Sequence, residues 1–298
     1  MAIVNSRAAI EPKTGKAAIF VNETIHSLIR KLFSNGEQGF AYDPNDLSTM
    51  FQDAAGTVPV TAAGQPVGLI LDKSKGLVLG AELLTALSPL NSILSSTLPP
   101  LTATSTAASG IYGASKANFA QAGKRYKVKM SWSGNTQLTN IILQCGGVGT
   151  PALTLPSTLS GTIEAIFIVS NTGPLNIYKT STAIGQSFTI DSLSIKELAG
   201  NHAYQTTSSM RPLLAASPQR IDYDTVDDKL ITNLPAQLTG CTVIRAVPNV
   251  GAQILTGQTI PATYEDNKDH CGLIVINRAL TPSETSAIAA EFNKRAGV

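Results

Sequence analysis

Apolar positions along the chain lose their helical period near Gly39 and regain it only at the C-terminal end. Ahead of Gly39, residues 22–35 read NETIHSLIRKLFSN, and Ile25, Leu28, Ile29, Leu32 and Phe33 fall at the spacing of an amphipathic helix. Asn22 stands where an N-cap belongs, and Gly36 where such a helix stops. That apolar face has two uses: docking on its own domain, or anchoring and exchange between subunits. Residues 1–21 read as an extended, irregular arm, which keeps the second use open.

Beyond Gly39 the period falls to two. KRYKVKMSW at 124–132 sets Tyr126, Val128, Met130 and Trp132 on one side, and Lys127, Lys129 and Ser131 on the other. IILQC (141–145), TIEAIFIVS (162–170), LNIYK (175–179) and SFTIDSLSIKE (187–197) continue the series. Gly, Pro, Asn and Ser clusters separate these runs, a pattern that predicts an antiparallel sandwich. Phe188 and Ile190 share a parity that Leu193 and Ile195 do not, so a bulge is predicted near Asp191 and Ser192. The Ser/Thr/Ala-rich stretch 85–122 reads as irregular strands and loops. The chain closes on LTPSETSAIAAEFNKRAGV, which predicts a helix. Thr281 and Glu284 form its capping box, Pro282 takes the first helical position, and Gly297 follows the end. Ala287, Ile288, Glu291 and Phe292 mark its docking stripe and edge. From 230 to 273 the pattern shows few strands.

The run KELAGNHAYQTT (196–207) joins a strand ending to the middle of a loop. Residues 64–75, GQPVGLILDKSK, supply that loop's first half, and GNHAYQTTSSMRPLL (200–214) its second. Joined, the two resemble the laminin-G-like, concanavalin-type β-sandwich modules common in bacteriophage structural proteins. GFAYDPNDLSTMFQDAAGTVPVTAAGQPVG (39–68), IDYDTVDDKL (221–230) and LIVINRALTPSETSAI (273–288) are similar to further segments of that group. GAELL (80–84) and TIDSLSIKEL (189–198) resemble the boundaries of carbohydrate-binding-module jelly rolls.

The resemblance implies a mainly β chain in three parts. Residues 1–38 are an N-terminal arm and helix. Residues 39–76 and 200–298 form a discontinuous antiparallel β-sandwich host with a short C-terminal helix. Residues 77–199 are an inserted jelly-roll β-sandwich, placed where a surface loop tolerates it. The host has fewer legible strands than a full sandwich needs, so either it is truncated or a neighbouring subunit completes it.

Composition narrows the function. Of 298 residues, 43% are hydrophobic, enough for a sizeable core, while charged residues are only 14%, against about 25% in ordinary soluble domains. A weakly charged Ser/Thr/Asn/Gln surface tolerates subunit contacts. The net charge of +2 gives no footprint for nucleic acid. No apolar run approaches the ~20 residues of a spanning helix, and residues 1–16 carry Glu11 and Pro12 rather than a secretory core, so synthesis and folding in a cytosol are expected. Cys145, Cys241 and Cys271 read as three thiols, with at most one pair.

Candidate chemistry is thin. GVGTPA (147–152) imitates a dinucleotide fingerprint, but Pro151 cannot open the required helix. There is no Gly-x-Ser-x-Gly elbow and no phosphate-binding loop. His26, His202 and His270 lack ligand spacing, and a metal on Asp269, His270 and Cys271 is less favoured than a plain turn. No cofactor is expected. Structural calcium is the one ion considered, on Asp222, Asp224, Asp227 and Asp228, whose oxygens suit it. Asp191 enters the same list because the jelly-roll resemblance implies it. Tyr112, Tyr126 and Tyr178 are the candidate sugar platforms, and Trp132 reads as core.

The expectation is a non-enzymatic bacteriophage virion protein of a tail, baseplate or appendage, assembled in the bacterial cytoplasm. Its partners would be other virion proteins, sister subunits in a homo-oligomer such as a trimer, and a host-surface glycan. The rivals are a capsid decoration or minor head protein, and a polysaccharide-cleaving enzyme. The enzyme would want a pair of carboxylates about 5–9.5 Å apart, and no such pair is identifiable.

Overall fold

The computed structural model describes residues 8–10, 17–19, 24–121, 124–137, 139–146, 152–169 and 171–298. Asn22, most of the arm at 1–21 and the fingerprint at 147–151 lie outside these residues. The protein is mainly β: several antiparallel sheets, an N-terminal helix α1 (Ile25–Leu32) and a C-terminal helix α2 (Pro282–Ala296). Within the arm, strands Ala8–Ile10 and Ala17–Ile19 pair antiparallel.

One lobe lies between Leu79 and Leu198. Its five-stranded sheet includes Gly110–Ala120, Ile142–Cys145 and Gly173–Ser181. Facing it, a six-stranded sheet includes Leu101–Ser105, Arg125–Ser133, Gly161–Ile168 and Ser187–Leu198. The alternation at 124–132 is realised here: Tyr126, Val128, Met130 and Trp132 meet Tyr112, Leu143, Ile177 and Phe188 in one core. Ser131 pairs with Ser192 but Trp132 pairs with Ile190, which leaves Asp191 as the bulged residue. That one-residue slip keeps apolar residues inward on both sides of the bend.

The second lobe takes its strands from both sides of the first. A four-stranded sheet orders Gly251–Ile260, Leu238–Val247, Leu273–Ile276 and Gly39–Tyr42. A five-stranded sheet orders Thr263–Asp266, Leu230–Asn233, Ala203–Tyr204, Leu69–Ile70 and Met50–Phe51. Phe40, Tyr42, Leu273 and Val275 fill the core between these sheets. The alternate positions Ala41, Ile274 and Ile276 face the two helices, so strand Leu273–Ile276 is buried on both sides. Two ten-residue strands, Leu238–Val247 and Gly251–Ile260, stand where the sequence showed few. The second is half exposed and made largely of Gly, Gln and Thr, so it carries no hydrophobic alternation to read.

Both helices pack on this lobe. Ile25, Leu28, Ile29, Leu32 and Phe33 are all buried against Ile244, Ile274, Ile288 and Phe292. Full burial of such side chains is worth about 1.5–3 kcal/mol each. The face expected to anchor a neighbouring subunit is therefore consumed within its own chain. The N-cap is Thr24, not Asn22: its side chain accepts the Ser27 N–H. Helix α2 has the expected capping box between Thr281 and Glu284, and ends on Gly297 in the left-handed region (φ 86°).

The lobes meet along Leu69, Leu71, Ile166 and Leu198, with Phe51, Leu77 and Tyr204 beside them. Ile166 N–H donates to the Ala55 carbonyl at 2.7 Å, and the Arg125 guanidinium lies 4.9 Å from the centre of the Tyr204 ring. Cys145, Cys241 and Cys271 are buried free thiols.

Candidate functional site

The residues singled out for ligands do not converge. Asp222 closes strand Arg220–Asp222 and pairs with the Arg220 guanidinium at 2.9 Å, outside the cluster that the other three acids of its run form. Asp191 lies in the other lobe, exposed, and accepts a hydrogen bond from the Ser133 hydroxyl. Asp224, Asp227 and Asp228 do gather, each with a carboxylate oxygen within 4.8 Å of the others. Asp224 Oδ1 is already engaged, however, accepting the N–H groups of Val226, Asp227 and Asp228. Those donors pull its carboxyl below the ordinary range, and partial burial pushes that of Asp228 up. The five aspartates are thus a turn, a strand-end ion pair and a bulge, not one ligand set.

The tyrosines separate in the same way. Tyr112 is core, its ring 5.8 Å from Phe188, and burial pushes its hydroxyl up to about 12. Tyr126 is also core, packed on Phe119 at 5.5 Å. Tyr178, half-buried, pairs with Gly113 and so faces away from Tyr112, one position earlier on the same strand. Two of the three platforms are therefore inside the sandwich, and the third stands apart from them. Trp132 is core, as its alternation required.

Sequence spacing missed a charged network beneath a groove of about 1000 Å³ between the two helices. The Lys73 ammonium is buried and donates to Asp43 Oδ2 at 2.9 Å and Asp46 Oδ2 at 2.8 Å, with His26 Nε2 at 2.9 Å. Arg295 donates to the other oxygen of Asp43 and, at 2.8 Å, to Glu291. Burial pushes the Asp46 carboxyl up, but hydrogen bonds from Lys73 and Ser48 outweigh it and hold it below its ordinary value. His26, Asp43 and Asp46 have metal-ligand types and suitable spacing. The ammonium already supplies the positive charge among them, so the group fits a structural ion network better than a metal centre. Its members come from residues 26, 43, 46, 73 and 295, which no local motif joins.

A second concavity, of about 410 Å³, opens between strands Gly251–Ile260 and Thr263–Asp266, at one end of the sandwich. Its floor holds Arg245, whose guanidinium donates to Asp266 Oδ1 at 2.5 Å and to the Lys268 carbonyl at 2.6 Å. Tyr223 donates to Asp266 Oδ2 at 3.0 Å, and His270 Nε2 lies 3.1 Å from the same oxygen, off line for a hydrogen bond. Burial would raise the Asp266 carboxyl, yet the Arg245 guanidinium beside it holds it far below the usual carboxylate range. Burial lowers the pKa of His270, against the opposing pull of Asp266. Gln253, Gln258, Tyr264 and Glu265 line the walls, amid apolar Val243, Leu255 and Ile260. This cleft can hydrogen-bond a neutral polar ligand. Its one buried carboxylate is spent on Arg245, so it has no free acid–base pair on its floor.

No family model matches the chain, and no curated protein matches it. Among solved structures, the Stig cyclase Fisc from Fischerella sp. TAU, in complex with (3Z)-3-(1-methyl-2-pyrrolidinylidene)-3H-indole, is similar at 10% identity. The alignment covers 54% of this chain and 85% of that one, with a TM-score of 0.25. A likeness at that score carries no argument here.

Proposed function

We propose that this chain is a non-enzymatic structural protein of a bacteriophage virion, a component of a tail, baseplate or attached appendage that serves assembly and host-surface attachment. One observation carries the reading. The signature residues that resemble phage sandwich modules, Asp72, Ser74, Asn201 and His202, bond to one another and to neighbouring backbone. Asp72 accepts N–H groups from Ala41, Ser74 and Asn201, and His202 Nδ1 accepts the Asp72 N–H at 2.8 Å. Side chains engaged in this way hold backbone segments together, which is what a scaffold module needs. The two lobes would act as recognition modules whose affinity is multiplied by copy number on the particle. Attachment to a neutral glycan would use the open cleft around Gln253, Gln258 and Tyr264.

The test is placement. Peptides of this chain are expected in proteolytic digests of purified virions, and antibody-gold labelling should mark the tail or its appendages. Absence from the particles overturns the reading, and label confined to the head moves the protein to a decoration role.

A further inference from the structure

Sheet edges are templates for pairing with another chain, and proteins cover or charge them. Along strand Gly39–Tyr42, Ala41 donates to Asp72 Oδ1 and accepts from Lys73 N–H, while the Gly39 carbonyl accepts from Asn201. Beside strand Met50–Phe51, Val60 N–H donates to the Met50 carbonyl. Strand Gly161–Ile168 is covered where Ile166 donates to Ala55. Strand Thr263–Asp266 is short and carries acids, and strand Ser88–Leu90 contains Pro89.

Strand Gly251–Ile260 has one such cover among the described residues, at Ala252. It runs ten residues with no charge and no proline, at the outer edge of the four-stranded sheet. Its inner neighbour fixes which groups turn outward. Ala246 bonds to Cys271 and Gly272 on the far side of its own strand, so its partner Ala252, and Ile254 two residues on, direct their N–H and C=O groups away from the hairpin. Asn293 Oδ1 takes the Ala252 N–H at 2.7 Å, while Ile254 has no such cover. Leu255, 55% exposed, projects beside them.

We propose that this strand is the assembly edge of the protein, pairing antiparallel with the same strand of a second copy about a twofold axis through Ile254. An identical strand is self-complementary in this arrangement, and an uncharged one meets no repulsion from its copy. Ile254 exchanges both backbone hydrogen bonds with its counterpart, Gln253 lies opposite Leu255, and Ala252, opposite Thr256, exchanges Asn293 Oδ1 for the Thr256 carbonyl. Gly257, at φ 70° where the hairpin register shifts, ends the paired stretch on one side, and Gly251 ends it on the other. Pairing doubles the four-stranded sheet and places the two polar clefts side by side. The inference is independent of the virion reading: failure to find the chain in particles leaves it standing.

Sedimentation velocity of the full chain and of two variants tests it. Wild type is expected to form a dimer at micromolar concentration. Q253K/L255K sets lysine against lysine at both opposed positions and should be monomeric. Q253K/L255E sets opposite charges there and should restore the dimer. Gln253 and Leu255 are exposed, so circular dichroism and melting should match wild type in both variants. A monomeric or trimeric wild type, a Q253K/L255K dimer, or a Q253K/L255E monomer overturns the pairing.

Discussion

Asp72 Oδ2 accepts the backbone N–H of Asn201 at 2.7 Å, joining residues 129 positions apart. The same carboxylate accepts from Ala41 N–H, Ser74 N–H and the Ser74 hydroxyl, each at 2.8 Å. Three separate segments are thus held by one buried side chain. Asp72→Ala strands those donors without water, and the expected loss is about 3 kcal/mol or more in urea unfolding. Asp72→Asn keeps one acceptor oxygen but turns an amide NH2 toward N–H groups, so it should recover less than half of that loss. A cost below about 1 kcal/mol for Asp72→Ala would mean that the segments meet without it.

His202 should make the same junction sensitive to acid. Its Nδ1 accepts the Asp72 N–H, which requires a neutral ring, and burial with Arg125 nearby lowers its pKa to about 3. The unfolded chain takes up a proton near pH 6.5 and the folded one does not. The His202 contribution is therefore complete above about pH 6.5 and declines as pH falls toward 3, by up to about 1.4 kcal/mol per pH unit, while the Asp72 carboxyl, which burial raises, contributes with the opposite sign. His270, whose pKa burial also lowers, adds a decline of the same sign as that of His202. Urea midpoints measured from pH 7 to pH 4 should show this slope, and His202→Asn, whose amide oxygen can accept the same N–H without titrating, should flatten it.

Much of this architecture was legible because it is local. The alternation at 124–132, the parity slip that places the Asp191 bulge, and the Thr281–Glu284 capping box each depend on residues a few positions apart. Failures came where tertiary placement decides. Tyr112 lies in a small-residue stretch with no clean period, so nothing local told its face. The aspartates at 222–228 looked like one oxygen-rich group until Arg220 drew Asp222 out of it. The anchoring face of α1 was correctly apolar, but only the fold shows that Ile288 and Phe292 already cover it.

Lys73 is the member of the helix-groove network whose loss should cost most. Lys73→Met leaves Asp46 without its ammonium and Asp43 with Arg295 alone. Breaking a buried pair of this kind typically costs about 3–5 kcal/mol. A melting experiment at pH 7 should show the loss. Zinc or a chelator should leave wild-type melting unchanged, because the ammonium already fills the space among His26, Asp43 and Asp46.

Calcium gives a separate test of the acidic turn. Asp224 Oδ1 is occupied by three backbone donors, so a calcium ion there would compete with the loop's own hydrogen bonds. Binding no tighter than millimolar is expected, and a ligand near its Kd adds only about 0.4 kcal/mol. Millimolar calcium should therefore shift melting by no more than about 2 °C. A larger rise that Asp228→Asn abolishes would establish a structural site.

Residues 77–199 should fold when expressed alone. Their main core draws every buried member from between Leu87 and Ile195, without help from the rest of the chain. What excision exposes is confined to the junction, chiefly Ile166, Leu198 and the Arg125 guanidinium that lay against Tyr204. Burying two such side chains contributes about 3–6 kcal/mol, a loss that lowers stability without removing the core. A cooperative urea transition with a reduced midpoint is the expected result, and Ile166→Ser should improve solubility by removing exposed apolar surface. A chain that unfolds without a transition would show that strand Gly161–Ile168 needs the Ala55 carbonyl at its edge, and that the lobe cannot stand apart from its neighbour.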